Sequence, residues 1–274
     1  MSLVAVGDNV IDCYVDLGLM FPGGNSVNVA VHAARAGTPT AYVGAIGTDE
    51  RGELMAGALA AEGIDTSRLR ILPGPSAYAV VRHVAGDRVF GRSDKGVSLF
   101  RPDDADLRFV AGFGLAHSSY CSGLEDALPD LAAAVPLSFD FDDRTGSYAE
   151  ELLPHVRVAT FSASHLSRRE CEELVRWAAA LGPSHVFATR GAEGAVSFAD
   201  NAVHAATAPT EELTDSLGAG DAFIGRALHG LLTGEPVPML LEAAVAAGGR
   251  ACATLGGFGH GRPLSGRVEE PVDR

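Results

Sequence analysis

The chain is 274 residues long, 47% hydrophobic and 20% charged, which suits one large folded domain and excludes a disordered or fibrous chain. A formal charge of −14 argues against a nucleic-acid partner, whose backbone is bound largely by Lys and Arg, but not against a nucleotide that arrives with a metal. Cys13, Cys121, Cys171 and Cys252 form no C-x-x-C pair, so neither a zinc site nor a disulfide framework is expected. The start, Met1 to Asp8, lacks the basic segment of a signal peptide, and no apolar run approaches the roughly 20 residues that span a bilayer. The expectation is a cytoplasmic protein with no membrane partner.

Leu3 to Val6 is a short apolar run closed by Gly7 and reads as a buried strand. Asn25 to Ala36 follows a helical pattern ended by Gly37, Thr40 to Ile46 reads as a strand, and Glu53 to Glu62 as a helix ended by Gly63. The alternation resumes with strands at Leu137 to Phe141, Val156 to Phe161 and His185 to Thr189, and a helix over Glu170 to Leu181. Such alternation predicts a parallel sheet covered by helices on both faces. Two stretches break it. Asp12 to Leu19 and Ala77 to Phe90, the latter turning at Gly86-Asp87, read as short strands of a small β-lid. Val196 to Phe198 and Ala202 to Ala206 form a second hairpin across Asp200-Asn201, and the polar segment after Gly261 is expected to fray.

The densest chemistry lies in Asp215-Ser216-Leu217-Gly218-Ala219-Gly220-Asp221. Phe223, Ile224, Ala227, Leu228, Leu231 and Leu232 follow at helical spacing, which places Gly218 to Asp221 at a helix N-terminus. Unpaired N–H groups and the positive end of the helix dipole attract an anion there, and the glycines let a phosphate come close. Asp221 in the first turn is a candidate base; a plain helix-start carboxylate behind a tight turn explains an isolated GAGD as well. Near the front, Gly7-Asp8-Asn9-x-x-Asp12 follows the first strand and Gly23-Gly24-Asn25-x-x-Asn28 opens a helix. Ligands of open α/β sheets bind at strand carboxyl ends, and carboxylates with amides satisfy a polyol's donors and acceptors together. Thr189-Arg190-Gly191-Ala192-Glu193-Gly194 fits the nucleotide end of a phosphate site, or a simple turn. There is neither a P-loop nor a G-x-G-x-x-G after the first strand. His117-Ser118-Ser119 has no nucleophile elbow around it, and Asp140-x-Asp142-Asp143-Arg144 reads equally as a site facing metal or phosphate and as a solvated loop.

Taken in order, Gly23-Gly24-x-x-x-Asn28, Thr189-x-Gly191-x-x-Gly194 and Asp215 to Asp221 resemble the ribokinase-like (PfkB) sugar kinases along nearly the entire chain. Gly7-Asp8-Asn9-x-x-Asp12, Asp87-Arg88-Val89-Phe90-Gly91, Glu125-Asp126-Ala127 and Phe139-Asp140-Phe141 are most similar to the branch acting on sugar–amino-acid conjugates such as fructoselysine. The resemblance implies an α/β, ribokinase-like three-layer sandwich with a mostly parallel central sheet. It implies one kinase domain over 1–262, with lid segments at about 12–20 and 76–92, and a polar C-terminal tail over 263–274. It also implies an ATP-dependent kinase in which Asp221 activates the acceptor hydroxyl and the N–H groups of Gly218, Ala219 and Gly220 hold the transferred group. Asp8, Asn9, Asp12, Gly23, Gly24, Asn28 and the lid residue Arg88 would take the sugar, and Thr189, Gly191, Gly194 and Asp215 the ATP side. The implied cofactors are ATP and Mg²⁺, with a monovalent cation near Asp215 and Gly256-Gly257 as in some relatives. A homodimer through the lid edge and a monomer both fit.

Two departures stand out. The N-x-x-E motif by which many relatives place magnesium through water is replaced by Ser162-Ala163-Ser164-His165, so the metal's ligands are unknown. Lys95 stands where the fructoselysine enzymes are expected to carry an acid, and favours a carboxylate or phosphate over an ammonium. Kinases of free ribose, fructose or a nucleoside stay open as alternatives. So does a non-catalytic sugar sensor, though a sensor has no use for a base at Asp221.

Overall fold

In a computed structural model of the chain, residues 1–84, 87–209 and 213–265 are described, residues 83, 84 and 87–89 by backbone alone. The main sheet has nine strands among these residues. In spatial order they are β13 (Ala202–Ala206), β12 (Ala195–Ala199), β11 (His185–Thr189), β10 (Val158–Ser162), β9 (Leu137–Asp140), β8 (Leu115–Ser119), β1 (Leu3–Val6), β4 (Thr40–Gly47) and β5 (Asp65–Leu72). The seven from β11 to β5 are parallel, and the β12–β13 hairpin adds the antiparallel edge. Asp200 and Asn201 turn that hairpin with φ of 52° and 60°, the left-handed pair its two-residue loop requires.

β1 is completely buried, as a continuous apolar run in a parallel sheet should be. Its alternate residues face two helical layers. Leu3 and Ala5 meet α1 (Asn25–Arg35), α2 (Glu50–Ala61), α7 (Ala219–Thr233) and α8 (Val237–Ala251) through Val29, Leu54, Phe223 and Leu240. Val4 and Val6 meet the opposite layer: α3 (Asp104–Val110), α4 (Leu128–Ala134), α5 (Gly146–Leu152) and α6 (Arg168–Ala179), through Val110, Leu131, Leu152 and Val175. The three-layer α/β sandwich is the architecture expected.

A second sheet, in the order β14 (Arg262–Pro263), β3 (Leu19–Gly23), β2 (Val10–Tyr14), β6 (Tyr78–Val84) and β7 (Asp87–Asp94), forms the lid. It corrects two readings. The expected strand from Asp12 to Leu19 is instead the end of β2, a turn over 15–18 and the first residue of β3, because Gly18 supplies a φ of 63°. The segment after Gly261 does not fray at once: Arg262 and Pro263 pair with Met20 and Leu19, and the Leu264 N–H bonds the Gly18 carbonyl at 2.8 Å. The rest of the expected tail, 266–274, and the proposed turn at Gly86 lie outside the described residues.

Gly218 precedes α7 with a φ of 77°, and a Cβ there would lie 2.8 Å from Gly257 Cα and its carbonyl oxygen. Gly218→Ala therefore meets both backbone strain and a backbone clash. It should cost about 1–3 kcal/mol and lower the melting temperature by roughly 2–10 °C, read by thermal denaturation.

Candidate active site

The strand order reverses around β1, whose neighbours β4 and β8 lead to opposite edges, and a cleft of about 440 Å³ opens at the strand carboxyl ends. Asp8 and Asn9 follow β1; Tyr120 and Cys121 follow β8; Asp140 ends β9, Ser162 ends β10 and Thr189 ends β11, and all line the cleft. α1 contributes Asn25 and Asn28, α7 contributes Gly220, Asp221 and Ile224, and the lid contributes Asp12, Phe90, Asp94 and Lys95.

Asp8 organises the entrance to α1. Gly24 at the N-cap offers no side-chain cap, so the Asp8 carboxylate takes the N–H groups of Asn25 at 2.8 Å and Ser26 at 3.3 Å from across the chain. The hydroxyls of Ser26, Ser119 and Ser122 donate to the same Oδ1 at 2.9, 3.1 and 2.9 Å. Asp8 is thus mainly a brace. Gly24 has to be glycine: its φ is 105°, and a Cβ would lie 2.7 Å from Asn9 Cα. Asn9 is tied by its NH₂ group to the Ala45 carbonyl at 2.7 Å and the Tyr42 hydroxyl at 3.0 Å.

At the centre, one oxygen of Asp221 accepts from the Asn25 amide at 2.8 Å and the other from Asn28 at 2.7 Å. The same Asn25 NH₂ donates to Asp140 at 2.7 Å, so one amide bridges two carboxylates. Burial drives both acids up to about 7; for Asp221 the Asn28 bond opposes the rise and the Asp8 charge adds to it, while the Asp142 N–H opposes it at Asp140. Each Asp221 oxygen keeps acceptor capacity for one further donor. The Asn28 side-chain oxygen is buried without a partner among the described residues and faces the backbone at Gly257, where a Cβ would lie 2.6 Å from it.

The anion-binding end of α7 is partly as expected. The helix begins at Ala219 after Gly218, with no side-chain cap, and Gly220 lines the cleft. A Cβ on Gly220 would touch nothing within 4 Å, so the space before the first turn is open. Ala219 turns its N–H back to the Ser216 carbonyl at 3.3 Å and does not line the cleft. Asp215 lies behind the loop, buried, accepting from the Tyr14 hydroxyl at 2.5 Å and the N–H groups of Leu217 and Gly256 at 3.0 Å each.

The structure therefore brings Asp8, Asn9, Asp12, Gly24, Asn28, Thr189, Gly220 and Asp221 to one cleft. Gly23, Gly191, Gly194, Asp215, Gly218 and Ala219 are not among the residues that line it. Gly23 makes room for Asp12, since a Cβ would lie 2.3 Å from Asp12 Oδ2, and Gly194 turns against the Ala206 carbonyl with a φ of 94°. The Arg88 side chain lies outside the description. Asn25, Asp140, His117, Ser138 and Tyr120 have no role assigned to them by the family resemblance. Asn25 and Asp140 sat in recognised motifs, whereas buried His117 and Ser138 carry no spacing signal.

No group of three His, Cys, Asp or Glu side chains among the described residues can cage a metal ion. No helix among the described residues is long and apolar enough to cross a membrane.

The sequence profile of the pfkB family carbohydrate kinases matches residues 11–258. The chain is similar to fructosamine kinase FrlD of Bacillus subtilis, 38% identical across 98% of this chain and 96% of that protein. It is also similar to fructoselysine 6-kinase of Escherichia coli, 35% identical across 92% of this chain and 95% of that protein. Among solved structures, Arabidopsis thaliana ribokinase with ribose and ATP superposes with a TM-score of 0.81 at 20% identity, covering 94% of each chain. Aminoimidazole riboside kinase from Salmonella enterica, complexed with aminoimidazole riboside and an ATP analogue, gives 0.76 at 20% identity, covering 97% of each chain. With a lid over strand ends, an acid at the mouth of α7 and a family profile spanning the fold, this chain is a member of the pfkB family of carbohydrate kinases.

Proposed function

We propose that the protein transfers the γ-phosphate of ATP to a hydroxyl of a sugar–amino-acid conjugate, with Asp221 as general base. The observation that carries this reading is the Asp221 carboxylate, held by two amides at the open N-terminus of α7. The acceptor hydroxyl donates to a free lone pair of Asp221 and attacks the γ-phosphorus in line, giving its proton to the carboxylate as the bond from that phosphorus to the bridging oxygen breaks and ADP leaves. Asn28 and Asp12, both on the cleft wall, bind the other hydroxyls. The phosphates lie before Gly220, where first-turn N–H groups and the helix dipole meet the charge that spreads over the phosphoryl oxygens. Thr189 and the turn after it face the nucleotide. Magnesium enters with ATP as part of that substrate and neutralises its phosphates.

The two curated relatives, one named for fructosamine and one for fructoselysine, support a glycated amine as the acceptor. Lys95 refines this. It lines the cleft on the lid side, its ammonium donating to the Cys121 carbonyl at 2.8 Å, and it is the cationic side chain among the described lining residues. A conjugate with a carboxylate beside the sugar linkage fits it better than one that places an ammonium there.

Asp221→Asn should lower kcat by about 10²–10⁴ while sugar binding persists, measured by ADP release and by calorimetry; wild-type turnover would remove the base assignment. Because burial raises Asp221 and its ionised form is the active one, kcat/KM should climb with pH through an acid limb centred at about 7 and level off above it. A limb near pH 4 would mean that the carboxylate is not desolvated as described. Across glycated amino acids, free sugars and nucleosides, the first class should react best. Lys95→Glu should raise KM for conjugates bearing the adjacent carboxylate by roughly two- to fivefold, the scale of an exposed ion pair. A preference for free ribose or a nucleoside would move the acceptor assignment elsewhere in the family.

A further inference from the structure

Behind the cleft runs a chain of polar side chains that the transfer scheme leaves without a task. Ser138 on β9 meets Nδ1 of His117 on β8 at 3.2 Å, and Nε2 of His117 meets the side-chain oxygen of Asn25 at 3.0 Å. Beyond Asn25 stand Asp140 and Asp221, both bonded to its NH₂ group. Ser138 and His117 are wholly buried. We infer that His117, backed by Ser138, is a positioning residue that locks the Asn25 amide with its NH₂ group toward the two carboxylates and so keeps Asp221 aimed to accept a proton; this rests on the role assigned to Asp221 above.

Donor and acceptor counting fixes each step. Two carboxylates on one side of Asn25 require the NH₂ group to face them, since its carbonyl oxygen would meet their lone pairs. The Asn25 oxygen then faces His117 and needs a donor, so Nε2 carries the hydrogen. Nδ1 is left as an acceptor, and the Ser138 hydroxyl supplies its hydrogen. Turned over, the amide would place oxygen against Asp140 and Asp221, which the pair tolerates only once it holds protons. The Asn25 backbone cannot shift to compensate, because its N–H is held by Asp8 at 2.8 Å.

The imidazole suits the task because it does not titrate while the carboxylates do. It is buried with no charge set against its ring, and burial holds it down at about 3, so the neutral, Nε2-protonated form persists over the working range. The groups that do set the charge at Asp221 are Asp8 after β1, Asp140 and Asp142 at the end of β9, and the neutral amides of α1. A leucine at 117 would fill the space but leave the Asn25 oxygen buried without a donor, free to exchange places with the NH₂ group. A glutamine can restore a donor.

The test is the pH profile of kcat/KM for His117→Leu, His117→Gln and Ser138→Ala, with melting temperatures recorded beside it. In His117→Leu the acid limb should move up by roughly one pH unit, the worth of one hydrogen bond to a charged group, and from a limb at about 7 this lowers kcat/KM at pH 7 roughly fivefold. KM for ATP should stay within about twofold, since no atom of the relay faces the nucleotide end. His117→Gln should regain most of the loss, and Ser138→Ala should shift the limb the same way by less. An acid limb at the wild-type position in folded His117→Leu overturns the inference, as does a glutamine variant impaired as fully as leucine. If His117→Leu does not fold, an unmoved limb in Ser138→Ala has the same force. Asp221→Asn in the same assay separates the two claims. If it is inactive while the relay variants behave as wild type, only the relay falls; if it is active, the base assignment falls with it.

Discussion

The carboxylate of Asp221 opens α7, yet both of its oxygens are held by amides from α1, 196 and 193 residues earlier in the chain. That contact makes two helix N-termini face each other across the ends of the parallel strands, and the two are treated differently. The start of α1 is closed from within, its first N–H groups taken by Asp8. The start of α7 has no side-chain cap, and open space lies before Gly220. One positive helix end is thereby neutralised by the protein and the other is left uncapped. In the proposed transfer this asymmetry sets the direction of phosphate approach and the side from which the acceptor comes.

The cleft is rich in acids for a site that receives a triphosphate. Asp8, Asp12, Asp94, Asp140, Asp142 and Asp221 line it, in a chain already at −14. Three features reduce the conflict. Asp8 is wrapped by hydroxyl and backbone donors, so its charge is largely spent inside the protein. Asp140 and Asp221 are pushed by burial toward neutrality, so at pH 7 the pair carries less than its formal charge. The uncapped start of α7 supplies positive potential on the cleft wall, where the proposed transfer places the phosphates. The same desolvation makes Asp221 a stronger base than an exposed aspartate, so in the proposed reaction nucleotide tolerance and acceptor activation share one cause.

Much of this was readable from residue order. The glycine-flanked Asp221, the early Gly-Gly pair with Asn28, and the strand–helix alternation needed only local rules, and β1 and β11 begin and end where their apolar runs do. What escaped has a common cause. β8 reads Leu-Ala-His-Ser-Ser, and its polar half is buried because His117, Ser119 and their neighbours bond to Asn25 and Asp8. No window-based pattern distinguishes such a strand from a loop, since its polar partners lie about 90 and 110 positions away. β5 escaped for the opposite reason: it is an edge strand whose Arg68 and Arg70 are drawn to buried Asp106, and its alternation reads as surface. Asp8 and Asp215 were visible as residues but not as braces, because only the folded backbone shows which N–H groups they meet.

The close approach of α1 and α7 depends in turn on the loop after α8. A Cβ on Gly257 would lie 2.6 Å from the Asn28 amide, and Gly218 needs the same backbone clear to start α7. Gly256 has a φ of 72° and gives its N–H to Asp215, whose other donors are Leu217 in the phosphate turn and Tyr14 in the lid. One buried carboxylate thus joins the lid, the turn before α7 and the loop that presses Asn28 toward Asp221. Two bare glycines let the backbone come that near, and a side chain at either would push apart the amide and acid on which the chemistry turns. Asp215 and the glycines thus hold the distance between Asn28 and Asp221, which gives the residues before Asp221 in the seven-residue motif a structural task of their own beside the base proposed for proton transfer.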